Sequence, residues 1–218
     1  MDILLTGRAG TANTRGLLVV LSGPSGVGKG TVVAHAMSLR AETASRLRRS
    51  VSVTTRTRRP DERDGRDYFF STPEQFKRMV VAGELLEWAT YLDSSYGTPL
   101  QWVDQELASG YDVVLEIEVQ GAIQVRERRP EAVLIYMLPP SWRALRRRLK
   151  RRRSESERIQ QRRLDVARQE IKYLPQYDYV IFNQRVEKAA RSFLAILEAE
   201  RSRVGRADLS TLLEETSV

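Results

Sequence analysis

The sequence predicts an α/β fold in which a parallel β-sheet lies between two layers of helices. Four short apolar segments carry this prediction, at 17–21, 113–118, 133–138 and 179–183. Segments that are apolar throughout are typical of strands buried on both faces of a sheet. Because stretches of helical character separate them, the connections are crossovers and the strands run parallel. Ligands of such sheets bind beyond the carboxyl ends of the strands.

The composition limits the classes of protein that this chain can be. Its 218 residues, 41% of them hydrophobic, suffice for one α/β domain with inserted lobes. Because it has no cysteine and one histidine, we expect neither disulfides nor a zinc site nor a serine–histidine triad. It shows no apolar run of membrane-spanning length and no secretory signal pattern, so we expect a cytoplasmic protein with no membrane partner. The net charge of +8 predicts an anionic partner.

The first apolar segment leads into a glycine-rich turn and then a helix. The turn is Gly23-Pro24-Ser25-Gly26-Val27-Gly28-Lys29-Gly30-Thr31. Its glycines allow the loop to close around a phosphate, which the backbone N–H groups and the helix dipole would bind. Lys29 can reach the terminal phosphates, so this turn is a P-loop and we expect it to hold ATP.

The position after the P-loop lysine departs from the usual pattern. P-loops place Ser or Thr there to hold Mg²⁺, whereas this chain has Gly30 and a hydroxyl one residue later, at Thr31. We therefore expect the Mg²⁺ that accompanies ATP to be held mainly by phosphates and waters, with Thr31 as a weak contact made through water.

The segment between the first two core strands carries groups suited to a purine monophosphate. Arg56 and Arg59 each present a planar fork that can bind a phosphate through two hydrogen bonds. Tyr68 and Tyr96 offer hydroxyl donors beside apolar rings. Glu87 can accept two hydrogen bonds from guanine, whose N1–H and 2-amino group are adjacent donors, whereas adenine has an acceptor at N1. These residues predict a site for a phosphate and a guanine base.

Turn and capping signals mark the other elements. They predict strands at 51–55 and 68–70, and helices from Ser71 to Gly83, from Pro99 to a cap at Gly110, from Ser141, from Ser154 to about Tyr173, and from Val186 to Val204. One residue separates Glu116 from Glu118 in the second core strand, so we expect both carboxylates on the same side of that strand. The helices that follow Ser141 are rich in arginine, which fits either a polyanion-binding patch or a solvated surface.

Five groups of residues follow one another along the chain: residues 50–60 with Gly65-Arg66-Asp67-Tyr68, then Glu87-Trp88-Ala89, Tyr96-Gly97-Thr98, residues 116–121 and residues 177–181. Together they resemble the motifs of guanylate kinases, P-loop enzymes that phosphorylate GMP. The resemblance covers about 17–197. It implies a core ATP-binding domain at 17–50, 99–140 and 165–204, a GMP-binding lobe at 51–98, an arginine-rich lid at 141–164, a flexible extension at 1–16 and a tail at 205–218.

The resemblance also implies the roles of individual residues. The GMP phosphate would be held by Ser52, Arg56, Arg59, Tyr68 and Tyr96. Guanine would be read by Glu87, Thr98 and Glu118. The transferred phosphoryl group would be surrounded by Lys29, Arg56, Arg152 and Arg163. The other ATP contacts would be Arg168 and, near adenine, Asn183. Glu116 would lie near Mg²⁺ and contact it through water.

Two positions depart from the pattern of this family. Residues 151–153 are Arg-Arg-Arg, where glycines commonly flank the lid arginine, and residues 183–184 are Asn-Gln, where Asn-Asp is usual. These departures affect the motion of the lid and the contacts to adenine. The reaction that the resemblance implies is transfer of the ATP γ-phosphoryl group to GMP or dGMP.

Three other functions fit parts of the sequence. One is a P-loop kinase for another acceptor, such as AMP or a deoxynucleoside, against which Glu87 and the Arg56/Arg59 pair argue. Another is a protein-binding scaffold without activity, against which the intact P-loop argues. The third is nucleic-acid binding through the basic charge. Because the arginines are not interleaved with aromatic residues in a recognisable motif, we expect no specific nucleic-acid partner.

Overall fold

A computed structural model gives the fold of residues 15–91, 93–151 and 157–206. Its strands, in chain order, are β1 (Leu18–Ser22), β2 (Leu47–Arg49), β3 (Val53–Thr54), β4 (Phe69–Phe70), β5 (Leu85–Tyr91), β6 (Ser94–Pro99), β7 (Asp112–Leu115), β8 (Val133–Leu138) and β9 (Tyr179–Phe182). Its helices are α1 (Lys29–Ser38), α2 (Glu42–Ser45), α3 (Pro73–Val81), α4 (Leu100–Ala108), α5 (Val119–Arg128), α6 (Trp142–Arg151), α7 (Glu157–Glu170) and α8 (Val186–Arg201). Short 3₁₀ turns follow α7 and α8, at Ile171–Gln176 and Val204–Arg206.

The central sheet confirms the predicted parallel three-layer fold. Its strands lie in the order β2-β7-β1-β8-β9, and each neighbouring pair is parallel. Alternate residues of β1 are buried on opposite faces, as the pleat of a strand requires. Val19 and Leu21 pack with α1 and α8, whereas Leu18 and Val20 pack with α4 and α5. The carboxyl ends of β1, β2 and β7 therefore meet at one edge of the sheet.

A second, mixed sheet forms a lobe between β2 and α4 of the core. Its strands lie in the order β4-β3-β6-β5. Helix α3 covers it, with Phe76 packed against Val53 and Leu85. The predicted start of α3 is confirmed, because Thr72 and Gln75 form a reciprocal capping box and Pro73 occupies the first turn.

Helices α6 and α7 pack against each other beside the core. Leu145, Leu149, Leu164 and Ala167 form their shared buried cluster. Most of the arginines on these helices lie on the exposed surface. Arg148 is an exception, since it is directed inward to the P-loop.

The structure corrects several predictions about single elements. Strand β7 ends at Leu115, so the prediction that Glu116 and Glu118 project from one side of a strand is wrong. Glu118 instead occupies the N-cap position of α5, a helix that the sequence pattern did not predict. Residues 47–49 form β2 of the core sheet, although one leucine followed by two arginines gives no apolar signal. Helix α8 ends at Arg201 rather than Val204.

Some predictions concern residues outside the described ranges. The predicted extension up to residue 14, the tail from residue 207 and the break between the lid helices at 152–156 belong to this group. Arg152, predicted to contact the transferred phosphoryl group, lies among them. Within the described ranges, none of the helices has the length and apolar character required to cross a bilayer.

Candidate active site

The P-loop connects the end of β1 to the start of α1. Gly23, Gly26 and Gly28 have φ angles of 145°, 82° and 101°, which residues with a side chain rarely adopt. A Cβ on Gly23 would also lie 2.3 Å from the carbonyl oxygen of Met137. This backbone therefore requires glycines, and it leaves the N–H groups at the start of α1 free to bind an anion.

Side chains from distant parts of the chain contact this loop. Lys29 Nζ donates a hydrogen bond to the Gly23 carbonyl oxygen at 2.5 Å. Arg163 Nη1, from α7, donates to Ser25 Oγ at 2.6 Å. The predicted phosphate contacts Lys29 and Arg163 thus lie at the same loop, and Arg163 joins α7 to it.

The other end of the loop is held by two further residues. Asn183 Nδ2 and Arg148 Nη1 each donate to the Val27 carbonyl oxygen at 2.8 Å. Arg148 Nη2 also donates to the Asn183 carbonyl oxygen at 2.9 Å. Asn183 therefore lies beside the P-loop as expected for an ATP contact. Arg148 was not predicted from the sequence, because nothing distinguishes it from the other arginines of α6.

The surroundings of Gly30 leave little room for a side chain after the lysine. A Cβ on Gly30 would lie 3.2 Å from Glu116 Oε2 and 3.4 Å from Arg49 Nη2. Glu116 and Arg49 form an ion pair with an N–O distance of 2.6 Å, and only 12% of the Glu116 side chain is exposed. Burial raises the pKa of Glu116, whereas Arg49 and Lys29 lower it. Glu116 thus occupies the space beside the P-loop where Ser or Thr would otherwise lie.

These residues suit a Mg²⁺ ion that arrives with a nucleotide. Among the described residues there is no group of three or more His, Cys, Asp or Glu that would hold a metal by itself. Mg²⁺ commonly keeps several waters and binds through one or two carboxylates together with phosphates. Glu116 supplies one such carboxylate at the loop, and Thr31 lies exposed on α1.

The phosphate-binding residues predicted for the acceptor lie together in the lobe. The Arg56 guanidinium is 5.4 Å from the ring centroid of Tyr68, and the rings of Tyr68 and Tyr96 are 6.0 Å apart. Arg56 Nη2 is 2.6 Å from Glu62 Oε1, while Glu62 Oε2 accepts from the Arg59 N–H at 2.9 Å. Glu62 thus holds the Arg56 side chain and the backbone of Arg59. The sequence gave no signal for it beyond its place in a charged loop.

A small pocket joins this lobe to the core. Its volume is about 90 Å³, and it is lined by Ser52, Tyr68, Arg49 and Glu116 among others. Ser52 and Tyr68 are predicted contacts of the acceptor phosphate, whereas Glu116 meets the P-loop at Gly30. The two predicted phosphate sites are therefore neighbours.

Glu87 lies inside the lobe, as the prediction of a base-reading carboxylate requires. It is 3% exposed, and Thr98 Oγ1 donates to its Oε1 at 2.7 Å. Strands β5 and β6 place the two residues directly opposite each other. Burial raises the pKa of Glu87 to about 7. A buried carboxylate with one fixed hydrogen bond keeps further acceptor capacity for a ligand.

Glu118 lies at a larger cleft between α5, α7 and the end of β5. This cleft has a volume of about 960 Å³ and is also lined by Glu170, Thr90 and Tyr173. Burial and the neighbouring Glu118 raise the pKa of Glu170 to about 8. Glu170 was not predicted from the sequence, because only the packing of α7 places it beside Glu118.

One predicted ATP contact is bonded elsewhere. Arg168 Nη1 lies 3.1 Å from Asp165 Oδ1 on its own helix, and its guanidinium is 5.9 Å from the ring centroid of Trp142. Its predicted role at the ATP phosphates remains a prediction.

The fold and this site define a class of protein. A P-loop on a parallel sheet, with arginines of α6 and α7 against it and a second lobe that holds Arg56 beside it, is the arrangement of a P-loop phosphotransferase that acts on nucleotides.

Comparison with known proteins gives the family. The family model described as guanylate kinase matches residues 15–200. The guanylate kinase of Lactococcus lactis subsp. lactis is 48% identical over 192 residues, which are 88% of this chain and 92% of that protein. The guanylate kinase of Halalkalibacterium halodurans is 50% identical over 186 residues, which are 85% of this chain and 89% of that protein.

A solved structure agrees with these relatives. The crystal structure of guanylate kinase from Anaplasma phagocytophilum is 34% identical and matches with a TM-score of 0.75, covering 92% of this chain and 94% of that one. The chain belongs to the guanylate kinase family. The activity that this membership gives it is ATP-dependent phosphorylation of GMP to GDP. The resemblance seen in the sequence motifs is thereby confirmed.

Proposed function

We propose that this chain uses the P-loop as the site of ATP and the lobe at 51–98 as the site of GMP or dGMP, with direct transfer of the γ-phosphoryl group between them. The observation that carries this proposal is the buried Glu87–Thr98 pair in the lobe that also holds Arg56 and Tyr68. A phosphate site and a base site in one lobe suit a nucleoside monophosphate.

On the donor side, the loop backbone and Lys29 would bind the ATP phosphates. Arg148 and Arg163 already contact the loop, so closure of the lid would bring further charge to the migrating group. Arg152 and Arg168 are proposed to join them there. Asn183 would lie near adenine. The Mg²⁺ that accompanies ATP would be held by its phosphates, by water and by Glu116, and it would neutralise charge on the β- and γ-oxygens.

On the acceptor side, Ser52, Arg56, Arg59, Tyr68 and Tyr96 would hold the GMP phosphate. Glu87 and Thr98 would bind the base edge, and Glu118 would bind the side that carries the 2-amino group. No general base is required, because a monophosphate oxygen is already an anionic nucleophile. The protein's contribution is to orient the two phosphates, to neutralise charge and to keep water out.

The choice of acceptor is tested by ADP formation from ATP with GMP, dGMP, AMP, CMP and UMP in separate assays. We expect GMP and dGMP to support turnover and the other three to be poor acceptors. Equal rates with AMP and GMP would contradict the base site. We also propose a cytoplasmic location and no specific nucleic-acid partner. The arginines at the P-loop and in the lobe are assigned above to the phosphates of the two nucleotides.

A further inference from the structure

We propose that helix α5 positions the residues that recognise guanine. The helix carries Glu118 at its N-cap, and one of its faces fixes strand β5 and therefore Glu87. This inference rests on the proposed roles of Glu87 and Glu118. The face consists of Gly121, Gln124 and Arg128, which follow one another at helical spacings of three and four residues. None of the three residues has a role in the reaction described above.

Gln124 binds the backbone of the residue next to Glu87. Its Oε1 accepts from the Trp88 N–H at 3.1 Å, and its Nε2 donates to the Trp88 carbonyl oxygen at 2.7 Å. Strand β5 is the edge strand of the lobe sheet and pairs with β6 on its other side. The side-chain amide of Gln124 therefore forms with the free edge of β5 the pair of hydrogen bonds that a neighbouring strand would form.

Arg128 holds the other side of Glu87. Its Nη1 donates to the carbonyl oxygens of Leu85 and Leu86, each at 2.7 Å. The register of β5 against β6 shifts between Leu85 and Glu87. At such an irregularity backbone groups lose their strand partners, and Arg128 binds two of them. Glu87 is thus bracketed by residues that α5 fixes.

Gly121 sets the position of the Glu87 carboxylate itself. A Cβ on Gly121 would lie 2.3 Å from Glu87 Oε2. The carboxylate is therefore placed between Thr98 on β6 and the backbone of α5. Because the same helix begins at Glu118, the separation of the two proposed base-reading carboxylates is set by one rigid element rather than by the lobe alone.

The first test replaces Gly121 with alanine. Alanine has a higher helix propensity than glycine, so the variant should fold. Its methyl group would displace the Glu87 carboxylate and break the bond from Thr98. We expect the preference for GMP over IMP, which lacks only the 2-amino group, to fall about tenfold or more. The loss should appear mainly in KM for GMP, with kcat less affected.

The second test replaces Gln124 with leucine, with Gln105→Leu on the exposed face of α4 as the matched control. Amide hydrogen exchange at Trp88 reports the strand directly and does not depend on activity. In Gln124→Leu we expect faster exchange at Trp88 and a reduced GMP preference. In Gln105→Leu we expect both to match the unaltered protein.

The outcomes separate this inference from the proposed function. Unchanged amide exchange at Trp88 in Gln124→Leu overturns the inference alone. So does faster exchange at Trp88 if both the Gly121 and the Gln124 variants fully retain the preference for GMP. An unaltered protein that phosphorylates GMP, IMP and AMP equally overturns the proposed function and the inference with it.

Discussion

The proposed donor and acceptor halves of the site are built by different means. The P-loop is a continuous stretch, residues 23–31, whose shape comes from backbone angles that only glycine adopts easily. The proposed base site is assembled from contacts between residues that are far apart in the sequence. Thr98 and Glu87 are 11 residues apart, and Gln124 and Trp88 are 36 residues apart. Phosphate binding thus depends on a local conformation, whereas the choice of base depends on how separate elements pack.

The largest expected effect comes from breaking the donor half at Lys29. Lys29→Met should reduce kcat about 10²-fold or more, because one preorganised charge contact to a developing anion contributes roughly 3–4 kcal/mol. Steady-state rates with saturating ATP and GMP measure this loss. Lys188→Met, at an exposed position of α8, is the control and should retain activity. A near-normal rate for Lys29→Met would remove the P-loop from the mechanism.

The acceptor half is broken most directly at Glu87. Glu87→Gln keeps the shape of the side chain but replaces an acceptor oxygen with a donor, which leaves guanine donors unpaired in a buried site. We expect a loss of roughly 2–4 kcal/mol in the discrimination of GMP from AMP. The ratio of kcat/KM for the two acceptors measures it. The exposed Glu84→Gln serves as control, and an unchanged ratio for Glu87→Gln would mean that Glu87 does not read the base.

The difference between a local conformation and the packing of distant elements also explains which parts of the molecule could be predicted from the sequence. The P-loop and the strand β1 were predictable because their signal lies in consecutive residues. Arg148, Glu62 and Glu170 were not, because each is one charged residue among many until the fold brings it to the P-loop, to Arg56 or to Glu118.

Two elements of the sheet edge were missed for a similar reason. Strand β2 has three residues, two of them arginines, at the edge of the sheet, so its apolar signal is weak. Helix α5 begins directly after Glu118, so the strand predicted at 113–118 runs up to its N-cap, whereas β7 ends at Leu115. Periodicity alone does not separate the end of a buried strand from the start of a buried helix.

A smaller effect should follow from pH, and it concerns only the acceptor half. Burial raises the pKa of Glu87 to about 7, so the carboxyl is protonated below that pH and ionised above it. The ionised form accepts hydrogen bonds from guanine, so the preference for GMP over AMP should rise with pH. Between pH 6 and pH 8 the ionised fraction of such a group changes roughly tenfold.

Taking the ratio of GMP to AMP rates at each pH cancels the titration of the acceptor phosphate. The same ratio in Glu87→Gln should be flat across this range. A ratio that falls with rising pH in the unaltered protein would contradict the assignment of the ionised carboxylate to the base.

The smallest expected effect is at Thr31, and it sharpens the account of the donor half. Glu116 and Arg49 occupy the space beside Gly30, while Thr31 is exposed on α1. Thr31→Val keeps the shape and removes the hydroxyl. If Mg²⁺ is held mainly by phosphates and waters, the rate at limiting Mg²⁺ should change less than about threefold, within the roughly 0.5 kcal/mol typical of a surface substitution. A tenfold loss of rate that excess Mg²⁺ reverses would show instead that the Thr31 hydroxyl binds Mg²⁺, in place of the hydroxyl that Gly30 lacks.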